Sequence, residues 1–193
     1  MEDPELQNPS ATPPKPETGN QALETVGRWL REVLETIIPA VLIALVINLF
    51  LAQATQVYGQ SMEPNLHHSQ RLVVEKVSYH FHGPRRGDVV VLRSPQHNSE
   101  LLIKRVIGLP GEKVEIHDGL VYIDGVPLTE PYLIQGTAGY QEPIVVPPLH
   151  VYVLGDNRNF SNDSRSFGPV PLENIVGRAW LSYWPLNQAG FVH

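Results

Sequence analysis

The 193-residue chain contains no cysteine. That absence excludes disulfides, a thiolate nucleophile and any cysteine-based metal site. It leaves the compartment open, because proteins outside the cytoplasm can fold without disulfides. A surplus of positive charge is also missing. The net charge is -6, and residues 1–35 hold seven acids against three bases, a balance of -4 that leaves -2 for the rest. A nearly neutral main segment is a poor partner for a polyanion, which argues against nucleic acid as a ligand. No Gly-rich phosphate loop and no internal repeat occur. The eight histidines lack a triad context, and His67-His68 and His80-x-His82 lie in polar, turn-like stretches without carboxylate company. Solvated loop histidines describe them better than metal ligands, so no metal or cofactor is expected.

Charge is missing again from TIIPAVLIALVINLFLAQATQVYGQSM, residues 36–62. Its apolar heart, Ile37 to Ala52, reaches with neutral flanks the ~20 residues needed to cross hydrocarbon. Pro39 is expected near the helix start, where a missing N–H is tolerated. Asn48 is a single neutral amide, which a span accommodates. Arg28 and Arg31 precede the stretch, and no base follows it before Arg71. That asymmetry predicts a cytoplasmic N-terminus, with Trp29 at the interface. The expected order is a disordered tail (1–20), an amphipathic juxtamembrane segment (21–35) and a transmembrane helix (36–56). A cleavable secretory signal is the alternative, because Ala52-Gln53-Ala54 forms an A-x-A site after an apolar run. The long acidic segment ahead of that run favours an anchor. Processing after Ala54 stays open.

Beyond residue 60 the pattern becomes short runs rich in Val, Ile and Tyr: RLVVEKVSY, GDVVVLRS, ELLIKRVIG, EKVEIHDG, LVYIDG, PIVVP, HVYVLGD and NIVGRAWLSYW. Gly, Pro, Asp and Asn punctuate them, as expected of strands. HDGLVYIDGVPL predicts a hairpin with Asp118-Gly119 as its tight turn. The fold class is mainly β. Residues 57–111 and 150–193 are expected to form the main β core, with 112–149 as a smaller hairpin and loop insertion.

Three segments hold chemistry-bearing residues. In YGQSMEPNL, residues 58–66, Ser61 sits between flexible Gly59 and rigid Pro64. A surface turn looks like this, and so does the mount of a nucleophile. In LLIKRVIGLPGE, Lys104 lies inside an apolar strand, on the face of Leu102 and Val106. Either it reaches solvent from an edge, or burial lowers its pKa and makes it a neutral base. Lowering that pKa from ~10.4 to ~7.5 costs about 4 kcal/mol, which a purely structural lysine does not repay. In GDNRNFSNDSRSFG, residues 155–168, Asp156, Arg158, Asp163 and Arg165 offer opposite charges to lock a loop, with Ser161 and Ser164 as hydroxyl donors. A polar loop with Asx turns is the competing reading.

SMEPNL after one N-terminal span, RRGDVVVL, IKRVIGLPGE and GDNRNFSNDSR, in that order, closely resemble the bacterial type I signal peptidases over roughly residues 30–180. The resemblance implies a membrane-anchored, signal-peptidase-type β-sheet domain facing the trans side, working through a serine–lysine dyad. It implies Ser61 as nucleophile, its N–H as oxyanion donor, and Lys104 as general base. Ser161 is implied to orient the lysine, with Asp163 and Arg165 as a supporting ion pair. Gly59 stands where some members carry an assisting serine, Asn65 where many have threonine, and Asn159-Phe160 replaces a more polar pair. Val57, Met62, Leu66, Leu102 and Ile103 match the substrate cleft. Exported precursors with signal peptides are the implied substrates, cleaved after small residues in an A-x-A pattern. The bilayer and the export translocon are the implied partners of a monomer. The implied setting is a bacterial-type plasma membrane or an internal energy-transducing membrane. Two other readings share parts of this pattern: a self-cleaving repressor-type peptidase, and a non-catalytic anchored β-domain scaffolding a secretion complex. The span and the absence of a DNA-reading module oppose the first; intact Ser61 and Lys104 oppose the second.

Overall fold

A computed structural model describes residues 18–46, 52–96, 100–137 and 139–193. Residues 1–45 and 46–193 are two separate compact units. The first holds all but the last residue of helix α1 (Thr18–Val46). The amphipathic segment and the start of the uncharged stretch form this one helix. Pro39 therefore lies inside it, not at its start. Among the described residues, no helix is long and apolar enough to cross a membrane. The uncharged part of α1, Thr36–Val46, would rise only about 17 Å at ~1.5 Å per residue, against ~30 Å of hydrocarbon. Asn48 and the tail before residue 18 lie outside the described residues.

The expected helix over 36–56 needs a second correction. Ala52–Gln56 is strand β1, paired antiparallel in full register with β2 (Arg71–Glu75), from Ala52↔Glu75 to Gln56↔Arg71. AQATQ carries no large apolar side chain, so it gains little from lipid. A ladder satisfies its backbone instead.

The strand runs named above all form strands. They are β3 (Val89–Arg93), β4 (Leu101–Gly108), β5 (Lys113–His117), β6 (Leu120–Ile123), β7 (Val126–Pro127), β8 (Gln141–Val145), β9 (His150–Leu154), β10 (Val170–Pro171), β11 (Ile175–Trp184) and β12 (Gly190–Phe191). The larger sheet runs β1-β2-β11-β3-β4-β9-β10, with β12 on β11. The smaller runs β7-β6-β5-β8 and occupies residues 113–145. Its β5–β6 turn places Asp118 at φ 51° and Gly119 at φ 79°, the left-handed pair a two-residue hairpin requires.

Strand β3 explains the continuous apolar run VVVLR. Val89 and Val91 enter a core with Val57, Met62, Leu66 and Ile103, while Val90 and Leu92 enter another with Val106, Val151 and Val153. Both faces of the strand are covered, so alternation with polar residues would be costly. Each such side chain contributes about 1.5–3 kcal/mol of burial. A third cluster joins Ile107 and Leu154 to Val114, Ile116 and Val121 of the smaller sheet.

Candidate active site

Ser61 lies on a turn that leaves β1. Val57 donates its N–H to the Gln70 carbonyl (2.8 Å) and accepts from Ser69 (2.9 Å), so the ladder with β2 continues past Gln56. The chain then departs at Gly59, whose φ of 83° is a left-handed value that an L side chain resists. A Cβ there would meet nothing within 4 Å, so the turn's conformation demands the glycine, not crowding. The Gly59 N–H is taken by His68 Nδ1 at 3.1 Å. His68 is therefore no idle loop histidine.

Met62 and Leu66 pin this turn from below. Both are buried with Val57 in the core under Ser61. These three were expected on the cleft wall, and that expectation is corrected: Val57 and Met62 pack inward, and Leu66 borders a different, smaller cleft. From the side, Asn157 holds the turn twice. Its N–H donates to the Ser61 carbonyl (3.0 Å) and its Nδ2 to the Gln60 carbonyl (3.1 Å). Gly155 is required here, since a Cβ would run into Ser161 Oγ and the Ser61 carbonyl.

Lys104 comes from β4, which lies between β3 and β9. It is 2% exposed, so the edge reading fails. Its Nζ lies 2.8 Å from Ser61 Oγ and 3.0 Å from the Ile103 carbonyl. Burial lowers its pKa from 10.5 to about 8, against the opposing pull of Asp163, Glu100 and Asp156. The change corresponds to roughly 3 kcal/mol against the charged form, at about 1.36 kcal/mol per unit.

Asp163 is fully buried and grips Arg165 through two contacts of 2.8 Å. It also accepts the Gly155 N–H (3.0 Å) and caps helix α2 (Ser164–Phe167). Ser161 differs from expectation. Its hydroxyl is buried and makes no hydrogen bond, to Lys104 or to any other described group. The Ile103 carbonyl and Ser61 direct the amine instead.

The predicted pairing within the 155–168 loop is half corrected. Asp156 pairs with Arg105 (2.8 and 2.6 Å) and Arg158 with Glu130 (2.5 and 3.1 Å), each partner distant in sequence. Arg105 is 1% exposed, donates to the Gly87 carbonyl (2.9 Å) and lies 4.0 Å over the Tyr132 ring. Asn65, in the position noted for threonine, donates to Asp156 (2.8 Å) and to the Tyr132 carbonyl (3.0 Å). Sequence reading missed Arg105, Asn157, Glu130 and His68. The signal for Arg105 was present: two adjacent cations inside an apolar strand face opposite sides, and both need partners.

A groove of about 440 Å³ opens beside the pair. Thr55, Gln56 and Tyr58 line one side, and Glu100 to Lys104 the other, with Ser61 and Val91 between. Of the cleft residues expected, Leu102 and Ile103 do line it. Strand β9 pairs with β4 only from Arg105 onward, so among the described residues Leu101–Lys104 have no partner strand on the side away from β3.

This arrangement is a serine beside a desolvated amine at the head of an open strand edge. The family described as signal peptidase, peptidase S26, matches residues 30–184. Signal peptidase I of Leptolyngbya laminosa is 48% identical over 170 residues, which span 83% of this chain and 83% of that protein. The probable signal peptidase I-1 of Synechocystis sp. is 38% identical over 178 residues, 89% of this chain and 91% of that protein. A crystal structure of a signal peptidase I from Enterococcus faecalis V583 aligns with a TM-score of 0.46 at 36% identity, over 49% of this chain and 95% of that one. The chain belongs to the signal peptidase family, peptidase S26.

Proposed function

We propose that the chain is a membrane-bound serine endopeptidase that removes signal peptides from exported precursors, cutting after small residues. One observation carries the reading: Lys104 Nζ sits 2.8 Å from Ser61 Oγ, with burial lowering the lysine pKa to about 8. Near neutral pH an appreciable fraction of the amine is uncharged and can accept the Oγ proton as Oγ attacks the scissile carbonyl. Burial alone would lower the pKa further, and the three nearby carboxylates bring it back towards the working pH. Protonated Lys104 then gives its proton to the leaving amine, and a water deacylates the serine with the same base. The Ser61 N–H serves the developing oxyanion, a contact typically worth about 3–4 kcal/mol.

An extended precursor segment pairs with the open side of Leu101–Lys104, so alternate side chains point into the groove. Leu102 and Ile103 leave shallow apolar space beside Ser61, which favours alanine or glycine at two alternate positions. We place the anchor in the uncharged stretch that starts at Thr36, with the N-terminus cytoplasmic and the β unit on the trans side. The test incubates the purified chain with a secretory precursor and sequences the new N-terminus, beside a Ser61→Ala control. Cleavage after A-x-A by wild type alone supports the reading. Equal cleavage by the control would overturn it.

A further inference from the structure

Three carboxylates act on the Lys104 amine: Asp163, Glu100 and Asp156. Two are already neutralised by cations of this chain, Asp163 by Arg165 and Asp156 by Arg105. Glu100 is different. It is exposed on the groove wall, and among the described residues it has no cationic partner. The groove's other lining residues are uncharged apart from Lys104 itself. When Lys104 is neutral, as the proposed reaction requires, the groove carries one unbalanced negative charge. That charge faces whatever peptide lies along β4.

Its position along the peptide follows from strand geometry. Glu100 precedes Lys104 by four residues, which at ~3.3 Å per residue places its backbone about 13 Å up the strand from that of the lysine. A peptide laid parallel to β4, with its N-terminal part beside Glu100 and its scissile bond at Ser61, covers that distance in about four residues. We propose that Glu100 selects the charge of the precursor residue four to five positions ahead of the scissile bond, favouring a basic side chain and rejecting an acidic one. This inference rests on the endopeptidase reading above and adds to it a selectivity outside the two small positions.

The selectivity also has a link to the base. Glu100 holds the lysine proton on, so a substrate cation that pairs with Glu100 weakens that hold. A basic residue there would therefore help the peptide bind and favour the neutral amine. An acidic residue would do the reverse on both counts.

The experiment uses the full chain in detergent micelles and peptides that share one A-x-A cleavage sequence. The peptides differ only in carrying Lys, Gln or Glu at the fourth and fifth positions before the cut. At low ionic strength wild type should cleave the Lys peptide about three- to ten-fold more efficiently than the Glu peptide, the range of exposed ion pairs with attraction and repulsion combined. Raising salt to 1 M should bring that ratio close to one, because the Debye length falls to ~3 Å. Glu100→Gln should flatten the ratio at low salt and move the rise of kcat/KM with pH to lower pH. Glu100→Lys should invert the ratio. A ratio near one in wild type, or the wild-type ratio persisting in Glu100→Gln, overturns the inference while the endopeptidase reading stands on the Gln peptide. Failure of wild type to cleave the Gln peptide overturns both. The salt arm needs no variant, so a misfolded substitution leaves the test intact.

Discussion

The nitrogen of Lys104 sets terms that can be measured both in catalysis and in stability. Its pKa of about 8 lies below the ordinary 10.5, so folding is opposed wherever the unfolded lysine is charged. That opposition is complete below pH 8, shrinks between 8 and 10.5, and is absent above. Lys104→Met should therefore abolish cleavage yet raise stability by about 1–3 kcal/mol at pH 7. Thermal melts across pH should show the gain fading towards pH 10. Wild-type turnover should rise with pH through a single step near 8, and Lys104→Arg should be inactive because guanidinium stays charged. Residual activity in Lys104→Arg would remove lysine from the role of base. Ser161 and Asp163, which the family resemblance groups together, should separate. Among the described residues the Ser161 hydroxyl is buried without a hydrogen-bond partner, so Ser161→Ala should leave melting unchanged or slightly higher. Asp163→Ala strands Arg165 and empties a helix cap, a loss of about 3–5 kcal/mol. It should also shift the pH step downward, since Asp163 is the strongest of the carboxylates holding the proton on Lys104. Sequence reading brought Ser61 and Lys104 into consideration because each is chemically conspicuous. It could not place Met62 and Val57, because an apolar residue beside a nucleophile looks the same whether it points to substrate or to core.

The turn between β1 and β2 shows how segments combine to aim one side chain. The β1–β2 ladder brings the chain in, Gly59 breaks it, Met62 and Leu66 plug the core, and the 155–160 loop clamps the far side through Asn157. Loss of the Asn157 amide in Asn157→Ala removes one of two tethers, worth about 1 kcal/mol. Its effect should be a several-fold fall in kcat with KM little changed, because the tether positions Oγ and not the peptide. Single-turnover and steady-state rates on one precursor would separate the two terms. Every strand of five or more residues beyond β1 was legible from β-branched runs and turn residues, and Asp118-Gly119 fixed one hairpin outright. The illegible strands were the short or polar ones. AQATQ has no hydrophobic alternation, and β7 and β12 are two residues long, so their pairing is decided by neighbours they cannot name in sequence. The ion pairs that Arg105 and Arg158 make with residues distant in sequence were hidden for a related reason. Proximity in sequence suggested Asp156 with Arg158, whereas strand β4 brings Arg105 to Asp156 and the loop after β7 brings Glu130 to Arg158.

At the scale of the whole chain, the proposed trans-side location of the β unit can be measured directly. Protease added outside sealed right-side-out vesicles should degrade residues 52–193 and spare the N-terminal segment. Full protection of the β unit would reverse the assigned orientation. The groove wall has a further consequence for the lifetime of the molecule. Thr55, Gln56 and Tyr58 form that wall, and Ala52–Ala54, the chain's own A-x-A sequence, immediately precede them in the β1 ladder. A segment that builds the wall cannot also fill the space it encloses. Cutting after Ala54 therefore requires β1 to peel from β2 and a second molecule to present its own groove. Self-processing should then be bimolecular, with an initial rate that grows as the square of protein concentration. A half-life unchanged over about tenfold dilution would contradict this, whereas cleavage of a Ser61→Ala copy by wild type would agree with it. The wall that shapes the groove thus fixes the reaction order of the protein's own decay.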